Sequence, residues 1–167
     1  LRTSILEKLS APLCEAVLGQ TPIELAELDR SNLFLIPLDN TRVWYRYHHL
    51  FAELLRQCLR DAASAEEISG LYRAASGWCE ANGDIHAAIR YARHIPDDVR
   101  AAHLLQTHAG LFFYHNELVQ LTDYARALPA SLLEKNPRLC MAAVWAMIGT
   151  RQPADFLLAH IERHFGM

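Results

Sequence analysis

Apolar residues recur at helical spacing along most of the chain, and the rhythm breaks once. Ile5, Leu6 and Leu9 begin a helical stripe that Leu13, Val17 and Leu18 continue past Pro12, with Gly19 placed to cap it. Thr21-Pro22-Ile23-Glu24 reads as a capping box with proline at the first helical position, opening a short helix through Ile23, Leu25, Ala26 and Leu28. The period then changes. Residues 33–38 are a short apolar run, Asp39-Asn40-Thr41 is turn chemistry, and residues 43–47 are rich in aromatics, which predicts strand, turn, strand. Helical spacing returns with Leu50, Leu54, Leu55 and Cys58. Three helices, a hairpin and a further helix is the order of a winged-helix domain, expected over residues 1–62.

Residues 63–167 carry no further strand signal. Ser64-Ala65-Glu66-Glu67 is a second capping box, and Ile68, Leu71, Ala75, Trp78 and Cys79 lie on one helix face, which predicts Trp78 buried between the first two helices of a hairpin. Asn82-Gly83-Asp84 stops that helix. Ile85, Ala88, Ile89 and Ala92 line the next, which Pro96 ends. Ala102, Leu105, Ala109 and Phe112 follow, then Leu118, Leu121, Ala125 and Leu128 after Asn116. Beyond Pro129 and Asn136-Pro137, Leu139, Ala142, Ala143 and Ala146 make a fifth stripe, and Leu157, Leu158, Ile161 and Phe165 a sixth. Units begin near Glu66, Asp97 and Asn136, roughly 31 and 39 residues apart, which straddles the ~34-residue period of tetratricopeptide hairpins. Ala75, Ala88, Ala92 and Ala109 stand where paired helices would approach closely. The expected fold is mainly α: a winged-helix domain with a short β-hairpin, then about three TPR-like helix pairs that start an α-solenoid.

Composition narrows the class. The 167 residues are 51% hydrophobic and 21% charged, enough for a real core and too apolar for disorder. No stretch approaches the ~18 apolar residues a membrane span needs, so no membrane partner is expected. Sixteen basic against 19 acidic residues give a net charge of −3, which argues against the whole chain binding nucleic acid. Within residues 22–32, Glu24, Glu27 and Asp29 face Arg30 alone, a local charge of −2. Phosphate contacts demand Lys and Arg, and Arg42 and Arg46 in the hairpin are too few to reverse this, so the winged helix is expected not to read DNA. Cys14, Cys58, Cys79 and Cys140 show no metal-type or redox-type spacing and are expected to be reduced, structural thiols. The start, Leu1-Arg2-Thr3-Ser4, has neither an initiator Met nor a signal-peptide pattern, so a cytoplasmic piece of a longer protein is expected.

Little in the chain carries catalytic chemistry. His160 and His164 share a helix face, but Ile161 stands where a zinc protease motif needs Glu, so a solvated helix end is expected. His115-Asn116-Glu117 mimics half of a zinc-deaminase signature without the cysteine pair. With no glycine-rich phosphate loop and no Gly-x-Ser-x-Gly elbow, the expectation is no enzyme activity, no metal site and no cofactor within this chain.

At Trp44-Tyr45-Arg46-Tyr47-His48-His49-Leu50-Phe51-Ala52-Glu53-Leu54-Leu55-Arg56 the sequence resembles the large ATP-dependent LuxR-type transcriptional regulators, the MalT-like group of the STAND signal-transduction ATPases. The likeness extends through Asn32-Leu33-Phe34-Leu35-Ile36-Pro37-Leu38-Asp39, Leu71-Tyr72-Arg73-Ala74-Ala75-Ser76-Gly77-Trp78 and Ala88-Ile89-Arg90-Tyr91-Ala92, and covers nearly the whole chain. The resemblance implies a long protein: a nucleotide-binding domain, this winged helix, a helical-repeat sensor, and a C-terminal helix-turn-helix that binds DNA. ATP and ADP would then belong to the parent protein. Implied partners are that nucleotide-binding domain, an inducer small molecule or protein bound by the repeat, and DNA only through the C-terminal domain. In related STAND proteins a Met-His-Asp motif ending the hairpin places its His on the β-phosphate of ADP. Tyr47-His48-His49 occupies the similar place with Met and Asp replaced, which makes His48 the candidate nucleotide sensor. The alternative is that His48 and His49 pin the hairpin to the following helix. The chain would couple nucleotide state to inducer or partner binding; the alternative function is a free-standing TPR-like protein-binding scaffold.

Overall fold

The computed structural model describes residues 1–19, 23, 25–30, 34–96 and 98–151. It is mostly helical with one antiparallel two-stranded hairpin, the class expected from the hydrophobic pattern.

Ser10 decides where the first α-helix starts. Its side-chain oxygen accepts the N–H of Leu13, and Pro12, with no N–H to offer, sits in the first turn of α1 (Ala11–Val17), where none is needed. Gly19 follows at φ +72° and ends the helix in the left-handed region. Upstream, the expected stripe of Ile5, Leu6 and Leu9 is not a helix. Arg2–Ile5 is a single 3₁₀ turn, and Leu9 lies extended, exchanging both backbone hydrogen bonds with Tyr45 at 2.8 and 2.9 Å. A four-residue spacing fits period two as well as period 3.6, so Ile5 and Leu9 are buried either way. α2 spans Leu25–Arg30; Thr21, Pro22 and Glu24 of the expected capping box lie outside the described residues.

The hairpin follows. β1 (Leu35–Pro37) pairs with β2 (Tyr45–Tyr47), placing Leu35 opposite Tyr47, Ile36 opposite Arg46 and Pro37 opposite Tyr45. The turn closes on Asp39, whose carboxylate accepts the N–H groups of Val43 at 3.0 Å and Trp44 at 3.2 Å. α3 (His49–Ala62) forms where the spacing predicts, but on a different face: Leu50 and Leu54 are 63% and 58% exposed, whereas Ala52 and Leu59 are buried. Spacing fixes a period; the inward direction is set by the neighbour, here the 3₁₀ turn, whose Ser4 carbonyl accepts the Arg56 Nε–H at 3.0 Å.

α4 (Ala65–Ala81) starts with the expected capping box formed in both directions, Ser64 Oγ accepting from Glu67 N and Glu67 Oε2 accepting from Ser64 N. It stops at Gly83, φ +81°, and Asp84 then caps α5 (Ile85–Ala92) by accepting the Ala87 N–H at 3.0 Å. Ala75, Ala88 and Ala92 are fully buried, and the buried Ser76 hydroxyl donates to the Ala88 carbonyl at 2.8 Å, so the pair meets backbone to backbone. α4 packs on α1 and, less extensively, on the 3₁₀ turn. The first compact unit therefore runs Leu1–Ile95, past residue 62, and a second begins at Pro96. Trp78 is the correction on this helix: it is half-buried and meets Trp44 of the hairpin segment edge-on, with ring centroids 6.4 Å apart. One residue before the buried Cys79 is a 100° rotation, which turns Trp78 off the stripe.

In the second unit, α6 (Val99–Tyr114), α7 (Leu118–Arg126), α8 (Ala130–Glu134) and α9 (Pro137–Gly149) bury Leu105, Phe112, Leu121, Ala125, Leu139 and Ala143. Asn116, at φ +58°, turns the chain between α6 and α7. The five-residue α8 is too short to show a period and was not expected. Ala109 is only half-buried. The sixth stripe, and His160 and His164, lie outside the described residues. All four cysteines are free; Cys14, Cys79 and Cys140 are buried, but Cys58 is exposed on α3. Among the described residues no helix is long and apolar enough to cross a membrane.

Candidate functional site

His48 stands where β2 ends and α3 begins. Its carbonyl accepts the first helical hydrogen bond, from Ala52 N at 2.9 Å, so it is the N-cap residue, yet its ring caps no backbone amide. Its own N–H donates to the Phe34 carbonyl at 2.8 Å. Phe34 holds φ +55°, a left-handed conformation that costs a bulky residue roughly 1–2 kcal/mol. That strain is retained beside a ring cluster: Phe51 meets Phe34 at 5.0 Å and Tyr47 at 5.9 Å, and the Tyr47 hydroxyl is hydrogen-bonded to Thr3 Oγ1 at 2.8 Å. Burial pushes the Tyr47 phenol up, against the lowering effect of that Thr3 bond. The hairpin is thus fastened to α3 by the His48 backbone and by aromatic packing. The imidazole of His48 lies against that of exposed His49, tilted by 34° with ring centroids 4.5 Å apart, and is half-buried, with no hydrogen bond to another described residue.

The two hairpin arginines differ. Arg42, at φ +54°, reaches Asp29 of α2 at 3.1 Å, so its charge is matched within the winged helix. Arg46 is exposed on β2. In α2 the described residues Glu27, Asp29 and Arg30 leave one excess negative charge, and no basic face forms there.

A second feature was not foreseen from the sequence. Within the first unit a cavity of about 270 Å³ opens between the hairpin turn and the α4–α5 pair. Trp44 and Trp78 wall it together with Leu13, Leu38 and the buried Tyr91. Asp39, Asp84 and the Glu7–Arg90 ion pair, 3.0 Å long, stand at its polar edge. Cys79 also lines it, and burial pushes this thiol up to about 11, so it is protonated and inert near neutrality. Both tryptophans were visible in the sequence, but 34 positions apart and on elements of different period, nothing there places them together.

The order of elements in the first unit, with the hairpin between helical segments and fastened to α3, defines a winged-helix domain. Residues 1–67 match the family model described as the MalT winged helix domain and belong to that domain family. Over its full length the chain is 33% identical, across 172 aligned residues, to the HTH-type transcriptional regulator MalT of Klebsiella pneumoniae subsp. pneumoniae, and equally to that of a second Klebsiella pneumoniae strain. The chain is thus similar to MalT from end to end, and it spans 19% of the length of those relatives.

Proposed function

We propose that this chain is the relay between the nucleotide-binding domain and the sensor of an ATP-dependent, LuxR-type transcriptional regulator of the STAND class. The reading is carried by one observation: the winged helix and the first helix pair of the expected TPR-like repeat form a single compact unit, Leu1–Ile95, in a chain that is MalT-like from end to end. A change in the pose of the hairpin then moves α4 and α5 with it, which links nucleotide state to the helices that bind an inducer or partner. The parent would act in the cytoplasm and reach DNA through a C-terminal domain; the acidic α2 has no phosphate-binding role. The free-standing scaffold has no observation of its own in favour.

Bound to the parent, ADP supplies a β-phosphate oxygen as acceptor. The residues of this chain fit one such contact. The His48 imidazole is half-buried, makes no hydrogen bond to another described residue, and is held in place through its backbone. It can donate one hydrogen bond, while a phosphate loop and Mg²⁺ site would be provided elsewhere in the parent. No chemical step falls to this chain.

The test is ADP and ATP affinity of the full-length parent with and without His48→Ala. A hydrogen bond to a charged group is worth about 1.5–3 kcal/mol, so ADP should weaken by roughly 10- to 100-fold, ATP by much less. The resting equilibrium should shift towards the active form to match. Equal losses for both nucleotides, or none, would leave His48 a structural residue.

A further inference from the structure

We propose that the cavity between the hairpin turn and the α4–α5 pair is a binding site for a small organic cation, an ammonium or guanidinium group carried by a free amine or by a side chain of a partner peptide. Three aromatic rings wall it. Trp44 and Trp78 meet edge-on at 71°, so two indole planes form a corner, and Tyr91 adds a third ring. The face of an aromatic ring carries partial negative charge and attracts cations, indole most strongly. The charges on the lining point the same way. Arg90 is already matched to Glu7 at 3.0 Å, which leaves the carboxylates of Asp39 and Asp84 against Lys8 alone.

Both carboxylates are fixed before any ligand arrives. Asp39 is held by the N–H groups of Val43 and Trp44, and Asp84 by that of Ala87. Each such bond holds its carboxylate in position and lowers the ordering cost of binding. Cys79 stays a neutral thiol, so the negative charge at the site is that of the carboxylates. A volume of about 270 Å³ lies just under the range of about 300–1,000 Å³ for small-molecule sites, which suits a compact head group on a short tail. This site is separate from His48 and stands whether or not the parent responds to nucleotide.

The experiment titrates the full 167-residue chain, carrying Trp145→Phe so that fluorescence reports only Trp44 and Trp78. The probes are choline, its neutral carbon isostere dimethylbutanol, and a short peptide bearing trimethyl-lysine. Asp84→Asn keeps an acceptor for the Ala87 N–H and removes the charge, so the helix cap survives. Its melting temperature confirms that. A saturable response to choline, about tenfold tighter than to dimethylbutanol and about tenfold weaker in Asp84→Asn, is the expected result. Saturation by choline assigns a free amine; saturation by the peptide alone assigns a partner side chain. An equal response to the neutral isostere, no saturable response to either cation, or indifference to Asp84→Asn would overturn the proposal.

Discussion

The phenol oxygen of Tyr91 accepts the backbone N–H of Glu7 at 3.0 Å, across 84 positions of sequence. It joins α5 to the segment that precedes α1, and the Arg90–Glu7 ion pair lies beside it. The hydrogen bond is part-buried, whereas the ion pair is exposed and contributes little. Tyr91→Phe removes only the acceptor and should lower the unfolding free energy by about 1 kcal/mol. Arg90→Gln should change it by less than about 0.5 kcal/mol. Urea denaturation of both variants checks the order; a larger loss from Arg90→Gln would show that the charges, not the phenol, hold this junction.

The contact between Trp44 and Trp78 is the aromatic link from the hairpin to α4. Edge-to-face pairs contribute about 0.5–1.5 kcal/mol beyond area burial. A double-mutant cycle with Trp44→Ala and Trp78→Ala should return a coupling energy in that range. Because Trp78 is half-buried, its single truncation should cost about 2 kcal/mol, below the ~3–5 kcal/mol of a fully buried aromatic. Additive losses would mean that the rings pack independently.

Asp39 closes the hairpin turn with two hydrogen bonds to successive backbone amides. Asp39→Ala leaves both donors to solvent and should destabilise the first unit by about 1–2 kcal/mol. Asp39→Asn, with one acceptor oxygen, should recover part of it. Thermal unfolding of the three proteins is the measurement, and indistinguishable midpoints would remove the turn from the account.

Buried thiols and phenols make the chain sensitive to alkali. Burial pushes Cys14 up to about 12 from 9.0 and Cys79 up to about 11, and it also raises Tyr47, Tyr72 and Tyr91. A raised acid keeps its proton in the folded chain when the unfolded chain has released it. The stabilisation is complete below the unfolded value and is lost as pH rises from about 9 towards 11–12. Urea midpoints should fall across that window, and Cys14→Ala should flatten the fall, whatever it costs at neutral pH. An unchanged slope in both Cys14→Ala and Cys79→Ala would locate the alkaline loss elsewhere.

Duplex DNA should not bind this chain. Its net charge is −3, α2 is acidic, and Arg42 is engaged by Asp29. A gel shift in about 150 mM salt should show no retention, because phosphate neutralisation supplies most of the affinity of such complexes. Sequence-specific retention at that salt would mean a groove-reading surface exists outside α2.

What the sequence determined by itself was local. Ser64 marks a helix start, Gly19 and Gly83 mark helix ends, and Asp39 marks the hairpin turn, since each acts through backbone groups within five residues; the caps at Ser10 and Asp84 are as local but were not read as helix starts. Period alone separated the hairpin from the helices, and the MalT-like motifs were legible as residue strings. Tertiary structure decided everything that depends on direction. Leu9 became a strand partner of Tyr45, because a four-residue spacing serves both periods. Leu50 and Leu54 faced outward, because the 3₁₀ turn, and not the stripe itself, selects the buried side of α3. Trp78 left the helix pair for Trp44, and with it formed a cavity lined by residues from Glu7 to Tyr91. No spacing rule relates side chains so far apart, because only packing in three dimensions brings them within van der Waals reach.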